Sequence, residues 1–248
     1  EHYALVALAV DEAEGDIESA AALAYERLLV AVRPSAHPYL LRIWNYFGQI
    51  NQGEGDHERY RRFCIGRARA VDGMFNDPPP AATAIGTVGA PDQLKVVALC
   101  SRAPAIALEN PRQTPAGLYP REHGPVSPGF SRGAVLDADT ATPRLLASGT
   151  ASIVGHVSLH LGDCAEQLRE SLRNLEALMQ QAADKTGREF QVAGCEALRI
   201  YLRHDADLAA AQAVMAASGI PADRISYLRG DVCRRELDVE LEGVFAAV

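Results

Sequence analysis

The stretch Arg144–Ser158, RLLASGTASIVGHVS, and the segment that follows it decide the fold, because together they repeat a pattern already met near the start of the chain. Apolar and branched residues in Arg144–Ser158 read as a strand. Asp163 with Glu166 then forms a capping-box arrangement for a helix carrying Leu168, Leu172, Leu175 and Met179 on one face, and Gly187 is placed to close it. Leu198–Arg203 alternates as a strand, Asp205 is set to cap a short helix holding Leu208, Ala211 and Met215, and Gly219 and Pro221 stop that helix. Two strands follow, Ile225–Arg229 and Leu237–Val248.

The N-terminal part runs in the same order. Tyr3–Val10 reads as a strand, and Asp16 is an N-cap for a helix with Ile17, Ala20, Ala21, Ala24 and Leu28 at helical spacing, ended by Pro34. Leu40–Ile50 is a strand, His57–Met74 a helix with Tyr60, Phe63, Cys64, Ala68 and Val71 on one stripe, and Ala84–Val88 and Leu94–Cys100 are two further strands beyond Pro78–Pro80. Each half is strand, helix, strand, helix, strand, strand. This predicts an α+β structural duplication, two mixed sheets each with helices on one face, although the halves share little sequence identity.

Between the halves lies ENPRQTPAGLYPREHGPVSPGFSR, Glu109 to Arg132, with five prolines, three glycines and three arginines. Neither a helix nor a central strand tolerates that composition. Its arginines, with Tyr119 and Phe130, mark it as a functional loop rather than a tether. The expected division is therefore 1–110, a connector 111–134, and 135–248.

Composition narrows the function. With 248 residues, 48% hydrophobic and 23% charged, the chain supports a sizeable core, and its net charge of −8 argues against nucleic-acid or anionic-membrane partners. No apolar run approaches the length of a membrane-spanning helix. Five cysteines without paired spacing fit a reduced cytoplasm. The chain begins at Glu1, in what is at once a strand, which suggests a natural N-terminus removed.

Chemistry is concentrated in Leu237-Asp238-Val239-Glu240-Leu241-Glu242. A period of two puts Asp238, Glu240 and Glu242 on one face, where the middle carboxyl feels both neighbours and is the best candidate for a raised pKa and a general-acid role. Pattern alone favours the plainer reading, a solvated acidic edge strand. Arg199, Tyr201 and Arg203 share the polar face of another strand, as substrate cations or as a structural ion-pair network. Arg61 flanks the apolar stripe of its helix, where a partly buried guanidinium is a bidentate partner for a carboxylate; Arg59, Arg62 and Arg69 read as solvated. His156, His160 and Asp163 resemble metal spacing, but they fall in a strand-to-helix turn and read as wet-face residues, so no metal is expected. Gly53 and Gly55 lack phosphate-loop spacing, and no nucleophile elbow or Ser-His-Asp order is present. Cys233, followed by Arg234 and Arg235, stands where a thiolate is favoured, although an inert core thiol is the commoner role.

Seven blocks in order resemble the chorismatase family: Asn51-Gln52-Gly53-Glu54-Gly55-Asp56, Glu58-Arg59-Tyr60-Arg61-Arg62-Phe63-Cys64, Glu109-Asn110-Pro111-Arg112-Gln113, Leu118-Tyr119-Pro120, Phe130-Ser131-Arg132, Ser148-Gly149-Thr150-Ala151-Ser152-Ile153 and Cys233-Arg234-Arg235-Glu236-Leu237. The resemblance implies two RidA/YjgF-like subdomains and further chain before Glu1. It implies release of pyruvate from the enolpyruvyl ether of chorismate with no cofactor, in a cytoplasmic monomer or small homo-oligomer. Matched residue by residue, it makes Glu240 the acid and Cys233 the residue of the hydroxybenzoate-forming branches, with 3-hydroxybenzoate and possibly 4-hydroxybenzoate as products. Tyr119 and Arg132 become substrate contacts, with Arg61 a further cation; Arg203 is added from the strand-face argument alone. Ubiquinone or pigment biosynthesis is the family-level destination. The alternatives are hydrolysis to a dihydroxycyclohexadiene carboxylate and a non-catalytic carboxylate-binding module. Gly117 departs from the family, which often has a bulkier residue there, and implies more room beside Tyr119.

Overall fold

The computed structural model describes residues 2–13, 16–71, 78–89 and 92–248. The first half contributes β1 (Tyr3–Asp11), α1 (Ile17–Val32), β2 (Tyr39–Gly48), α2 (Arg59–Ala70), β3 (Ala81–Thr87) and β4 (Gln93–Ser101). Two short strands, β5 (Ile106–Leu108) and β6 (Gly133–Leu136), bracket the Pro/Gly-rich loop. The second half contributes β7 (Arg144–Ala151), a small hairpin β8–β9 (Ile153–Val154, Val157–Ser158), α3 (Cys164–Thr186), β10 (Phe190–Leu202), α4 (Leu208–Ala216), β11 (Ile225–Arg229) and β12 (Val239–Ala247).

The duplication holds down to strand order. The first sheet runs β1-β4-β2-β3, and the second runs β7-β12-β10-β11 in the corresponding places, extended past β7 by β6 and β5. In both, the first three strands pair antiparallel and the last pair is parallel. This is the α+β class expected.

The helices form where their caps and stripes place them. Asp16 accepts hydrogen bonds from the backbone N–H groups of Glu18 and Ser19, and Asp163 accepts from Glu166 at 3.0 Å. Gly187 closes α3 in the left-handed conformation at φ 67°. The Glu166 carboxylate pairs with Arg169 rather than reaching back, so the capping box is half formed. Asp205 is not the cap of α4: it lies in a 3-10 turn that precedes Leu208, and it faces Arg229 at 3.3 Å. The expected end of the second helix at Met74 falls outside the described residues, and Ala68 is exposed; its place on the buried side of α2 is taken by Arg67.

One apolar core lies between α1, α2 and the first sheet, from Ile17, Tyr25 and Leu28 to Phe47, Val96 and Ala98. A second lies between α3, α4 and the other sheet, from Leu168, Leu175 and Met215 to Leu198, Val239, Leu241 and Phe245. The remaining faces of the sheets meet, sharing a small apolar cluster of Leu41, Leu136 and Leu146. The layers are helices, sheet, sheet, helices. Edge strand β3 ties the halves together: Ser131 N–H donates to Pro80 O, and Gly86 and Asp231 exchange backbone hydrogen bonds at 2.8 and 2.9 Å. Among the described residues no helix is long and apolar enough to cross a membrane.

Candidate active site

The residues between the sheets are largely polar, so their pairing decides the chemistry. Strand β12 is not an edge strand. It lies between β10 and β7, and Glu240 and Glu242 are 5% and 3% exposed. The solvated reading therefore fails, because what shields these acids comes from the opposite sheet.

Glu242 is fully partnered. Arg42 of β2 pairs with it, Thr83 of β3 donates to it at 2.6 Å, and Trp44 Nε1 donates at 3.0 Å to the same oxygen. From its own sheet Tyr201 donates at 2.7 Å and Arg199 at 3.1 Å. Burial alone would raise this carboxyl, but Arg42, the Thr83 and Tyr201 hydrogen bonds and Arg199 outweigh it and hold it below the ordinary value. The network reading of Arg199 and Tyr201 is the one found.

Glu240, two residues away, is the opposite case. Among the described residues no group donates a hydrogen bond to its carboxyl. Burial, reinforced by the Glu242 charge, pushes it up to about 8 against the pull of Arg42 and Arg132. Asp238 plays no part: it precedes the strand and turns towards Gln167 and His204. Two neighbouring carboxyls are thus driven apart, one ionised and one protonated near neutrality.

Gly149 explains how Glu240 fits. In the β7–β12 pairing the register shifts between Leu241 and Gly243, so β7 carries an extra residue opposite Glu242. A Cβ on Gly149 would lie 2.0 Å from Glu240 Oε1. The bulge is tied to the first sheet, with Gly149 N–H donating to Thr83 Oγ1 at 2.9 Å and Ala82 N–H to Ser148 Oγ at 3.1 Å.

Glu240 opens onto a cavity of about 370 Å³ whose lining includes Tyr60, Arg61, Tyr119, Arg132, Cys233 and Arg234. The loop after Glu109 forms one wall. Arg132, 4% exposed, donates to Tyr119 Oη at 2.7 Å and to Thr114 O at 2.8 Å, and it lies over the Phe130 and Tyr119 rings. Its Nε, and one Nη of Arg234, are buried with no protein acceptor among the described residues. Arg61 is partly buried as expected and donates to Glu122 O.

The structure brings together five of the six residues singled out from sequence: Glu240, Cys233, Tyr119, Arg132 and Arg61. Arg203 is the exception. Strand β10 ends at Leu202, and Arg203 turns its donors to Leu237 O, Asp231, Val232 O and Arg234 O, so it shapes the 231–238 loop from outside the cavity lining. Asn51 supports that loop too, donating to Cys233 O at 3.1 Å.

The Cys233 thiolate expectation is overturned. Burial first, then the Glu240 charge, pushes the thiol up to about 12 in spite of Arg234, so it is a neutral S–H. Arg59 is not solvated either; it is bound to both oxygens of Glu12 at 2.7 and 2.8 Å. A Cβ on Gly117 would meet nothing within 4 Å, so the departure there opens onto free space rather than enlarging the cavity.

Arg234, Tyr60 and Gly149 are site residues that pattern reading missed. Arg234 lies over the Tyr119 ring, and Tyr60 was accounted for as apolar stripe. His156 does not converge with His160 and Asp163; it meets Glu122 and His123 instead.

Comparison with known proteins settles the family. Over 239 residues the chain is 34% identical to a 3-hydroxybenzoate synthase of Streptomyces hygroscopicus, covering 93% of this chain and 70% of the relative. The chain belongs to the chorismatase family. A chorismatase of Streptomyces rapamycinicus is 35% identical over 242 residues, covering 94% and 71% of the two chains. The family model "Chorismatase FkbO/Hyg5-like, N-terminal" matches residues 1–100. A chorismatase crystal structure superposes with a TM-score of 0.88 at 32% identity, covering 98% of this chain and 75% of that one. This chorismatase is thus an enzyme, and the cavity at Glu240 is its candidate active site.

Proposed function

We propose that this chorismatase cleaves the enolpyruvyl ether of chorismate to pyruvate and 3-hydroxybenzoate, with Glu240 as the general acid. The observation that carries the reading is the buried Glu240 carboxyl, raised to about 8 beside an ionised Glu242 and facing a cavity lined by arginines.

Chorismate is a dianion, and Arg132, Arg234 and Arg61 are the cations that meet its two carboxylates. The buried donors of Arg132 and Arg234 that lack a protein acceptor suit this task, since a carboxylate supplies it. Tyr119, held by Arg132, positions the ring. Glu240 delivers its proton to the terminal methylene carbon, giving an oxocarbenium ion and leaving Glu240 as a carboxylate beside it. The C3–O bond to the ring then breaks, releasing pyruvate, as the oxygen of the C4 hydroxyl bonds to C3. The C4–O bond opens, leaving that oxygen on C3, and loss of the C3 hydrogen as a proton to the Glu240 carboxylate aromatises the ring and restores the acid. Pyruvate and 3-hydroxybenzoate together contain the atoms of chorismate, so no water is consumed. A neutral thiol at Cys233 suits that course, occupying the wall beside Glu240 without acting as a base. A minor 4-hydroxybenzoate product comes from the same cleavage.

The test is pyruvate release with separation of the ring products. Glu240→Gln is expected to lower release by about 10²–10⁴-fold, the range of general acid catalysis, while chorismate binding persists. Because the protonated acid is the active form, release by the unaltered enzyme falls as pH rises through about 8. Near-normal turnover by Glu240→Gln removes Glu240 from the acid role.

A further inference from the structure

Beside Tyr119 one carboxylate and two imidazoles converge, and one of them, His123, lines the cavity with its ring 5.2 Å from that of Tyr119. Glu122 and His123 lie in a 3-10 turn of the Pro/Gly-rich loop, and His156 is in the turn of the β8–β9 hairpin. Glu122 Oε1 is 3.5 Å from His123 Nε2 and 3.5 Å from His156 Nε2, and all three ligand atoms lie within 4.8 Å of one another. Tetrahedral Zn²⁺ with its usual bond lengths sets its ligand atoms about 3.4 Å apart, close to both observed separations. His123 Nε2 is buried with no hydrogen-bond partner among the described residues, although it is aimed at this cluster. The backbones that carry the ligands are also fixed: Arg61 donates to Glu122 O and Arg234 to His156 O, each at 2.8 Å. Arg61 and Arg234 thus brace the backbone that carries the ligands, while their positive charges act against a cation there and the Glu122 carboxylate acts for it.

We propose that Glu122, His123 and His156 bind a divalent transition metal, Zn²⁺ first among them, which clamps the Pro/Gly-rich loop to the β8–β9 hairpin and closes the cavity mouth. Two imidazoles and a carboxylate are a common zinc ligand set and leave a fourth position for water. The clamp joins the loop that carries Tyr119 to the hairpin that follows β7, so metal occupancy opposes entry of substrate and exit of product. It is an inhibitory site; the chemistry at Glu240 does not use it.

The experiment uses the full chain freed of metal by a chelator, then Zn²⁺ alone and Co²⁺ alone as probes. Equilibrium dialysis is expected to show one Zn²⁺ bound, weakened more than tenfold in both His156→Ala and Glu122→Gln, neither of which lines the cavity. The Co²⁺ complex is expected to show visible bands of nitrogen and oxygen ligation without a thiolate charge-transfer band. Neither reading needs chorismate, so their outcome is independent of the proposed activity. With chorismate, Zn²⁺ is expected to slow pyruvate release by the unaltered enzyme at least tenfold and to leave metal-free His156→Ala and Glu122→Gln unchanged from the metal-free parent. No stoichiometric binding, binding indifferent to both substitutions, or a thiolate band overturns the site. Binding that leaves turnover unchanged overturns the clamp.

Discussion

The two halves share one topology, yet of the corresponding strands β4 and β12 only β12 carries acids on the face towards the other sheet. Each is second in the four-strand order that the halves share, with a strand paired on either side. Towards the helices they are alike, with Leu94, Val96, Ala98 and Cys100 on β4 and Val239, Leu241 and Phe245 on β12. Towards the other sheet they differ: Lys95, Val97 and Leu99 on β4 face the same way as Glu240, Glu242 and Val244 do on β12. The neighbouring strand differs with them. β1 pairs with β4 in unbroken register from Tyr3–Ser101 to Asp11–Gln93, whereas β7 bulges at Ser148–Gly149 where it passes the acids. The first half in turn supplies Arg42, Trp44 and Thr83, which neutralise Glu242. A duplicated scaffold has thus been divided into a half that carries the carboxyls and a half that fixes their charge.

Four substitutions break or sharpen that contrast. Gly149→Ala drives a methyl group into the Glu240 carboxyl; pyruvate release is expected to fall more than about 100-fold, and unfolding in urea should show a loss of about 1–3 kcal/mol, the usual cost of overpacking. Glu242→Gln removes the charge that helps raise Glu240 and leaves Arg42 buried without its ion pair. Both changes lower the Glu240 pKa, so the high-pH limb of the activity profile moves to lower pH, and breaking the pair costs about 3–5 kcal/mol in the same unfolding assay. Cys233→Ala is expected to keep pyruvate release within about tenfold while ring products shift from hydroxybenzoate towards the dihydroxydiene carboxylate, as chromatography of the products will show. Val97→Ala, at the corresponding face of β4, is expected to cost only about 1 kcal/mol and to move neither the pH profile nor the product ratio.

The repeat of elements and the caps at Asp16, Asp163 and Gly187, though not the one expected at Asp205, were legible because they rest on chemistry within a few residues. In the candidate site, Glu240, Cys233 and Arg61 stood out by spacing and neighbours, whereas Tyr119 and Arg132 were given their roles only through the resemblance to the chorismatase family. The burial of Glu240 and Glu242 was not legible, because an alternating strand with acids on one face has the same pattern at a wet edge as in a sealed interface. What distinguishes them is Arg42, 200 residues from Glu242. The same limit hid the pairing of Arg59 with Glu12 and made Arg203 look like a face residue, when the strand ends one residue before it. Gly149 was legible only as part of a motif. Its reason is the space beside Glu240, which no spacing rule carries.

The central claim is that Glu240 is protonated near neutral pH while Glu242 is ionised. Its most direct test is a site-resolved titration of the two carboxyls, by carbon NMR of labelled glutamate assigned with Glu240→Gln and Glu242→Gln. The account predicts a Glu240 midpoint near 8, with Glu242 already ionised well below it. A Glu240 midpoint near the ordinary 4.5 would contradict it.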